Sequence, residues 1–147
     1  MWTDDVLSVE FKLYLGMMAA SCYNCEYLLN IIEEQFVLQG GNLQWITHGL
    51  KKTDPRAARF AQINEILAYK PWMLSGKHIE QLLAKDEQGH SLNFQQVLTG
   101  CIVLSHYHSM CCFVQGQGLI ESSNFERVTE QLKTVRATKS TDDFDSA

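Results

Sequence analysis

Residues 13–30 read LYLGMMAASCYNCEYLLN, and the fold class turns on them. With Val9 upstream, the apolar residues Leu13, Met17 and Ala20 recur at helical spacing on one face, which predicts a first helix. A second helix is expected to begin between Tyr23 and Cys25, with Ser21 or Asn24 as its cap. It carries Leu28, Ile31, Ile32 and Phe36 toward a core. Gly40-Gly41 stops it, because glycine accepts the left-handed conformation that follows a last turn. At the junction lies Cys22-Tyr23-Asn24-Cys25, a CxxC.

The helical period continues on both sides of this stretch. A short amphipathic piece is expected around Trp45. Asp54-Pro55 joins a capping aspartate to a proline at the first helical position. The helix it opens should bury Phe60, Ile63 and Leu67 and end before Pro71. Ser75 can cap the next, which carries Ile79, Leu82 and Leu83. Gly89-His90-Ser91 reads as a loop. From Leu92 to Val114 the chain is apolar on almost every side, as expected of a central helix wrapped by others. Gly116-Gln117-Gly118 breaks it, and a lone GxG without a preceding strand is weak evidence for phosphate binding. Met17, Met18, Trp45, Trp72 and Met110 fit core contacts better than a cofactor box. The predicted organisation is one all-α domain over 1–121, an amphipathic C-terminal helix over 122–138 and a disordered acidic tail over 139–147. Ser123 and Glu126 have capping-box spacing at the start of that last helix.

Composition removes several function classes. The chain of 147 residues is 46% hydrophobic and 20% charged, the proportions of an ordinary globular domain. Its net charge is −5 and its basic residues are scattered apart from Lys51-Lys52, which argues against a nucleic-acid partner. No uninterrupted apolar run approaches the ~20 residues of a membrane span, so no membrane partner is expected. The N-terminus has no positive charge followed by an apolar stretch, which predicts no signal peptide. The expected compartment is the cytoplasm, with the nucleus as an alternative, and the five cysteines are then read as thiols.

Cys22 and Cys25 carry the chemistry. Their spacing on a first helical turn would let the side chains meet in a disulfide, and a helix N-terminus stabilises a thiolate. A thiol catalyst also needs a base or cation nearby. Between Lys12 and His48 there is no Lys, Arg or His, and Glu26 adjoins Cys25. Any base must come from another helix, and His106 and His108 are the attractive sources. The structural alternative is that both cysteines are small buried hydrophobes. His108 shares a helix face with Cys112 and Cys101, but hydrogen-bonded core histidine and packed cysteines are the favoured reading there. With no second CxxC, no metal site and no cofactor are expected.

Four separated segments then carry a resemblance: LYLGMMAASCYNCEYLLN, GGNLQWITHGL, INEILAYKPWMLSGKHIEQLL and LSHYHSMCCFVQGQGL. In order and spacing they resemble the N-terminal half of the sestrins, stress-inducible proteins of animals, from about Tyr14 to Leu119. The resemblance implies an all-helical fold of the bacterial alkylhydroperoxidase AhpD type. It also implies antioxidant reduction of alkyl hydroperoxides by a cysteine in a helix-turn-helix, regenerated by a thiol reductant. By position that cysteine is Cys25, assisted by Tyr27; Cys22 restores the CxxC of the AhpD type. The family's assisting histidine falls at Ile32, and the histidine of AhpD-like enzymes falls at Leu29. Sestrins also restrain TOR-dependent growth signalling, through their C-terminal half.

Two functions follow from the resemblance. In one, the chain is a regulatory module of the stress response that binds a signalling protein or another copy of itself; Ile32 favours it. In the other, it is an active thiol peroxidase, an oxidoreductase in which Cys25 attacks the peroxide, Cys22 resolves the sulfenic acid and Tyr27 donates a hydrogen bond to the leaving oxygen. The CxxC favours that one.

Overall fold

The structure, a computed structural model, describes residues 6–118, and there it is all-helical, with no strand among the described residues. The helix expected over 122–138 and the tail over 139–147 lie outside the described residues. Among the described residues seven α-helices follow in order: α1 (Val9–Cys22), α2 (Glu26–Leu38), α3 (Leu43–His48), α4 (Pro55–Ala58), α5 (Ala61–Tyr69), α6 (Gly76–Leu83) and α7 (Phe94–Gly116).

Helix α1 is the hub. It packs on α2, α4, α5 and α7, and nine of its fourteen residues are buried. Of its expected inward face, Leu13, Met17 and Ala20 are buried while Val9 is partly exposed. Two close approaches fix its neighbours. The ring of Tyr107 on α7 lies over Gly16, where an added Cβ would sit 2.7 Å from ring carbons. The Phe60 ring closes on Gly100 of α7 in the same way and meets Phe11 edge-on at 6.1 Å. Only glycine lets the aromatic rings come this close to a helix backbone.

The ends of the helices follow local chemistry. Ser8 accepts from the Phe11 N–H to cap α1, and Asp54 accepts from the Arg56 N–H to open α4 with Pro55 at its first position. The segment after Pro55 is two helices rather than one, breaking at Arg59-Phe60, with Phe60 and Ile63 buried and Leu67 packed at the core's edge. Ser75 caps α6 in a box whose other arm is His78, which accepts from the Ser75 N–H at 3.1 Å. Asn93 and Gln96 make a reciprocal box at the start of α7, a signal the sequence carries as Asn-x-x-Gln. Trp45 on α3 packs against Tyr14 and Phe36, whereas Trp72 is 78% exposed rather than core.

The expected central helix is corrected. Helix α7 is covered on one side by α1, α5 and α6, and Phe94, Leu98, Ile102 and Phe113 stand exposed on the other. An all-round apolar pattern does not say which side is covered. By length and composition alone α7 is long and apolar enough to cross a bilayer, a test that a packed core helix also passes. It escapes a search for apolar runs because Ser, Thr, Gln and His interrupt it, although no Asp, Glu, Lys or Arg occurs between Glu87 and Glu121. Here it is a packed helix of the domain, docked along α1.

Candidate thiol site

The CxxC does not occupy one helical turn. Cys22 closes α1 and Cys25 is the N-cap of α2, so the pair straddles the interhelical turn. Asn24 makes that turn in the left-handed region, φ 49°, which asparagine tolerates better than most residues. Hydrogen bonds from Asn24 N–H to Ser21 O and from Cys25 N–H to Ala20 O close it, at 3.2 and 3.0 Å. Neither Ser21 nor Asn24 caps α2. Ser21 Oγ instead donates back to the Met17 carbonyl at 2.8 Å, and Cys25 takes the cap position with no side-chain cap bond.

Around the turn, α5 supplies Asn64 and α7 supplies His108, Cys111 and Cys112. Asn64 Nδ2 donates to the Met18 carbonyl and to Cys22 Sγ, at 3.1 and 3.2 Å. Its Oδ1 must therefore accept, and it does so from His108 Nε2 at 2.8 Å. That assignment leaves His108 Nδ1 bare, to accept the Tyr23 hydroxyl at 3.0 Å. The bonds run in one direction, from Tyr23 through His108 and Asn64 to the Cys22 sulfur. Gln115 and Tyr69 fasten the backbone of the turn, at the Tyr23 and Cys22 carbonyls.

The electrostatics follow from burial. Burial pushes the Cys22 thiol up, partly offset by the Asn64 hydrogen bond and reinforced by Glu65. It lies at the C-terminal end of α1, the end at which a helix disfavours negative charge. Burial holds His108 below the ordinary histidine range, so the ring is neutral near pH 7. Burial, and then the hydrogen bond with Cys112, push Tyr23 up to about 12.

Cys25 faces another way. It is 4% exposed and belongs, with Cys111, to the buried core cluster. Burial first, and then Cys25, push Cys111 up to about 12. Ile32, at the position of the sestrin histidine, is buried in the core and walls an open apolar cavity of about 560 Å³ between α1, α2 and α7. Leu29, at the AhpD histidine position, is half-buried against the core. Tyr27 is half-buried on the first turn of α2, and Tyr23 is the phenol that joins the hydrogen-bonded chain. Of the two expected sources of a base, His106 is exposed on the cavity rim and His108 is reached through Asn64. Sequence reasoning missed Tyr23, Asn64 and Cys111 as site residues. Cys101 is half-buried and raised by burial, and among the described residues no three His, Cys, Asp or Glu gather as metal ligands.

Helices meeting at a turn bracketed by cysteines, with a buried histidine behind them, define a small all-α thiol-bearing domain. Comparison with known proteins gives its family. The profile described as PA26 p53-induced protein (sestrin) matches residues 1–146. Sestrin-1 of Xenopus laevis is 34% identical over 116 residues, 79% of this chain and 24% of the relative. Sestrin-2 of Mus musculus is 30% identical over 124 residues, 84% of this chain and 25% of the relative. Sestrin-3 of Mus musculus is 32% identical over 116 residues, 79% of this chain and 23% of the relative. The chain belongs to the sestrin family, and it spans about a quarter of the length of the relatives it matches.

Proposed function

We propose that this chain is a sestrin-type regulatory module of the stress response, acting on TOR-dependent growth signalling by binding a protein partner in the cytoplasm or nucleus, and that hydroperoxide turnover is not its activity. The surroundings of Cys25 carry this reading. A thiol peroxidase needs a thiolate that the peroxide can reach and a group to manage the protons. Cys25 is 4% exposed, and the residue standing where the family has its histidine is a core isoleucine. His108 is committed on both ring nitrogens, to Asn64 and Tyr23, so it has no lone pair left for a thiol proton.

A second reading, a CxxC thiol peroxidase using Cys25 and Cys22, draws on one observation. Cys22 is partly accessible and receives an N–H from Asn64, which offsets part of the burial that raises its thiol. Turnover of an organic hydroperoxide with a dithiol reductant, compared between the natural protein and Cys25→Ser, decides between them. Equal background rates support the regulatory module. A rate that disappears in the variant overturns it and makes the chain an enzyme.

A further inference from the structure

We infer that the trough between α1, α2 and α7 binds an uncharged single-chain amphiphile, an alcohol or amide whose alkyl chain lies along α2 and whose head meets Gln35, Gln39 and His106. The inference goes beyond the proposed function and rests on the shape and chemistry of this cavity. Helices α2 and α7 each pack on α1 far more than on one another, which leaves a trough with α1 beneath it. Its volume, about 560 Å³, falls within the ~300–1,000 Å³ of small-molecule sites. Leu13, Leu28, Ile32 and Tyr107 form its base, and none of them is more than 5% exposed. The Tyr107 ring is held there by its seat over Gly16, so the base exists before any ligand arrives. Ile31 stands at the rim, 41% exposed, and Met110 closes the wall on α7 with an adaptable thioether. The polar lining consists of Gln35, Gln39 and His106, all three exposed.

Length, polarity and charge select the ligand. The lining positions of α2 run along one face from Leu28 to Gln39, about 16 Å at 1.5 Å per residue. An extended chain advances about 1.2 Å per bond, so about a dozen bonds fill that length. The interhelical turn lies at the Leu28 end, and the bond between Tyr23 and His108 brings the C-terminal half of α7 to the same end. Leu28 and Met110 therefore make the apolar end, while Gln35 and Gln39 lie toward the other. No Asp, Glu, Lys or Arg lines the cavity. The Glu10 carboxylate stands beside Val9 at the polar end, where it accepts the Asn42 N–H at 2.6 Å. A carboxylate head would meet both Glu10 and the C-terminal end of α2, which disfavours negative charge. The N-terminal end of α1 lies there too, but Ser8 and Glu10 already answer it. Carboxamides donate and accept, and so suit a neutral hydroxyl or amide. No cysteine lines the cavity, so the ligand is held there and not oxidised.

The test is isothermal titration of the full chain with octanol, decanol and decanoate near neutral pH, where decanoate is ionised. Saturable binding of one decanol per chain is expected, about sixteenfold tighter than octanol at about fourfold per methylene. Decanol should also bind at least about tenfold tighter than decanoate, whose charge finds no partner in the trough. Ile31→Arg changes the rim and leaves the buried base intact, and it should weaken decanol at least about tenfold. Phe113→Gln, on the outer face of α7, should leave decanol binding unchanged. Three outcomes overturn the inference: no saturable binding to the natural chain, decanoate as tight as decanol, or binding lost in Phe113→Gln and kept in Ile31→Arg. The titrations of the natural chain decide even if Ile31→Arg fails to fold. Peroxide turnover, which decides the regulatory reading, does not depend on the result.

Discussion

At the scale of single residues, His108 is a buried titratable group whose protonation state bears directly on its hydrogen bonds. It donates to Asn64 and accepts from Tyr23, and the geometry holds only while the ring is neutral. Its folded pKa lies below the ordinary value of 6.5 because burial penalises the cation, so the unfolded chain binds the proton more readily. The contribution is complete above about 6.5 and is lost as pH falls from there through the folded value. His108→Phe should cost about 1–3 kcal/mol near neutral pH, because Asn64 Oδ1 loses its donor inside the core. It should also remove part of the acid slope. Urea unfolding of both proteins at about pH 8 and about pH 5 checks this, and parallel losses on acidification would remove His108 as a cause. The reach of the sequence is visible in the same residues. Cys22, Cys25 and the departure at Ile32 could be read from the chain, because spacing and family position mark them. Asn64 lies 42 residues from Cys22, and Tyr23 lies 85 from His108, so no local pattern joins either pair.

At the scale of elements, caps and periods were the legible part. Asp54-Pro55, Ser75 and Gly40-Gly41 mark helix ends in the chain and do so in the fold. What was not legible is which apolar helix becomes the centre. α1 and α7 are both apolar all round, and the order of burial is set by their partners. The glycines reveal those partners once the fold is known. Gly100→Ala should raise local helix preference by about 1 kcal/mol. That gain is outweighed, because the new Cβ would sit 2.4 Å from a Phe60 ring carbon and overpacking costs about 1–3 kcal/mol. A net loss of stability is therefore expected from a substitution that ordinarily strengthens a helix. Thermal unfolding reads it, and a raised Tm would mean that Phe60 has room to turn away. Restoring space in Gly100→Ala with Phe60→Leu should recover part of the loss.

At the scale of the whole molecule, the chain covers about a quarter of its sestrin relatives, and among the described residues one side of α7 carries exposed apolar side chains. The two faces of α7 make opposite predictions. Leu104 is fully buried against the core, so Leu104→Ala should cost about 2–5 kcal/mol through lost transfer energy and the cavity it leaves. Leu98 and Phe113 are half or more exposed, at 50% and 66%, and touch little that folding buries. Leu98→Gln and Phe113→Gln should each shift stability by less than about 0.5 kcal/mol, as surface substitutions do. They should nonetheless lower binding of a hydrophobic dye and delay aggregation, because a charge-free apolar stripe on a protein's exterior favours association. Urea midpoints and dye fluorescence, measured on the three variants and the natural chain, separate the effects. If Phe113→Gln were as damaging as Leu104→Ala, Phe113 would have to be buried in solution. The outer face of α7 would then be covered by something beyond the residues described, and helix α7 would be central after all.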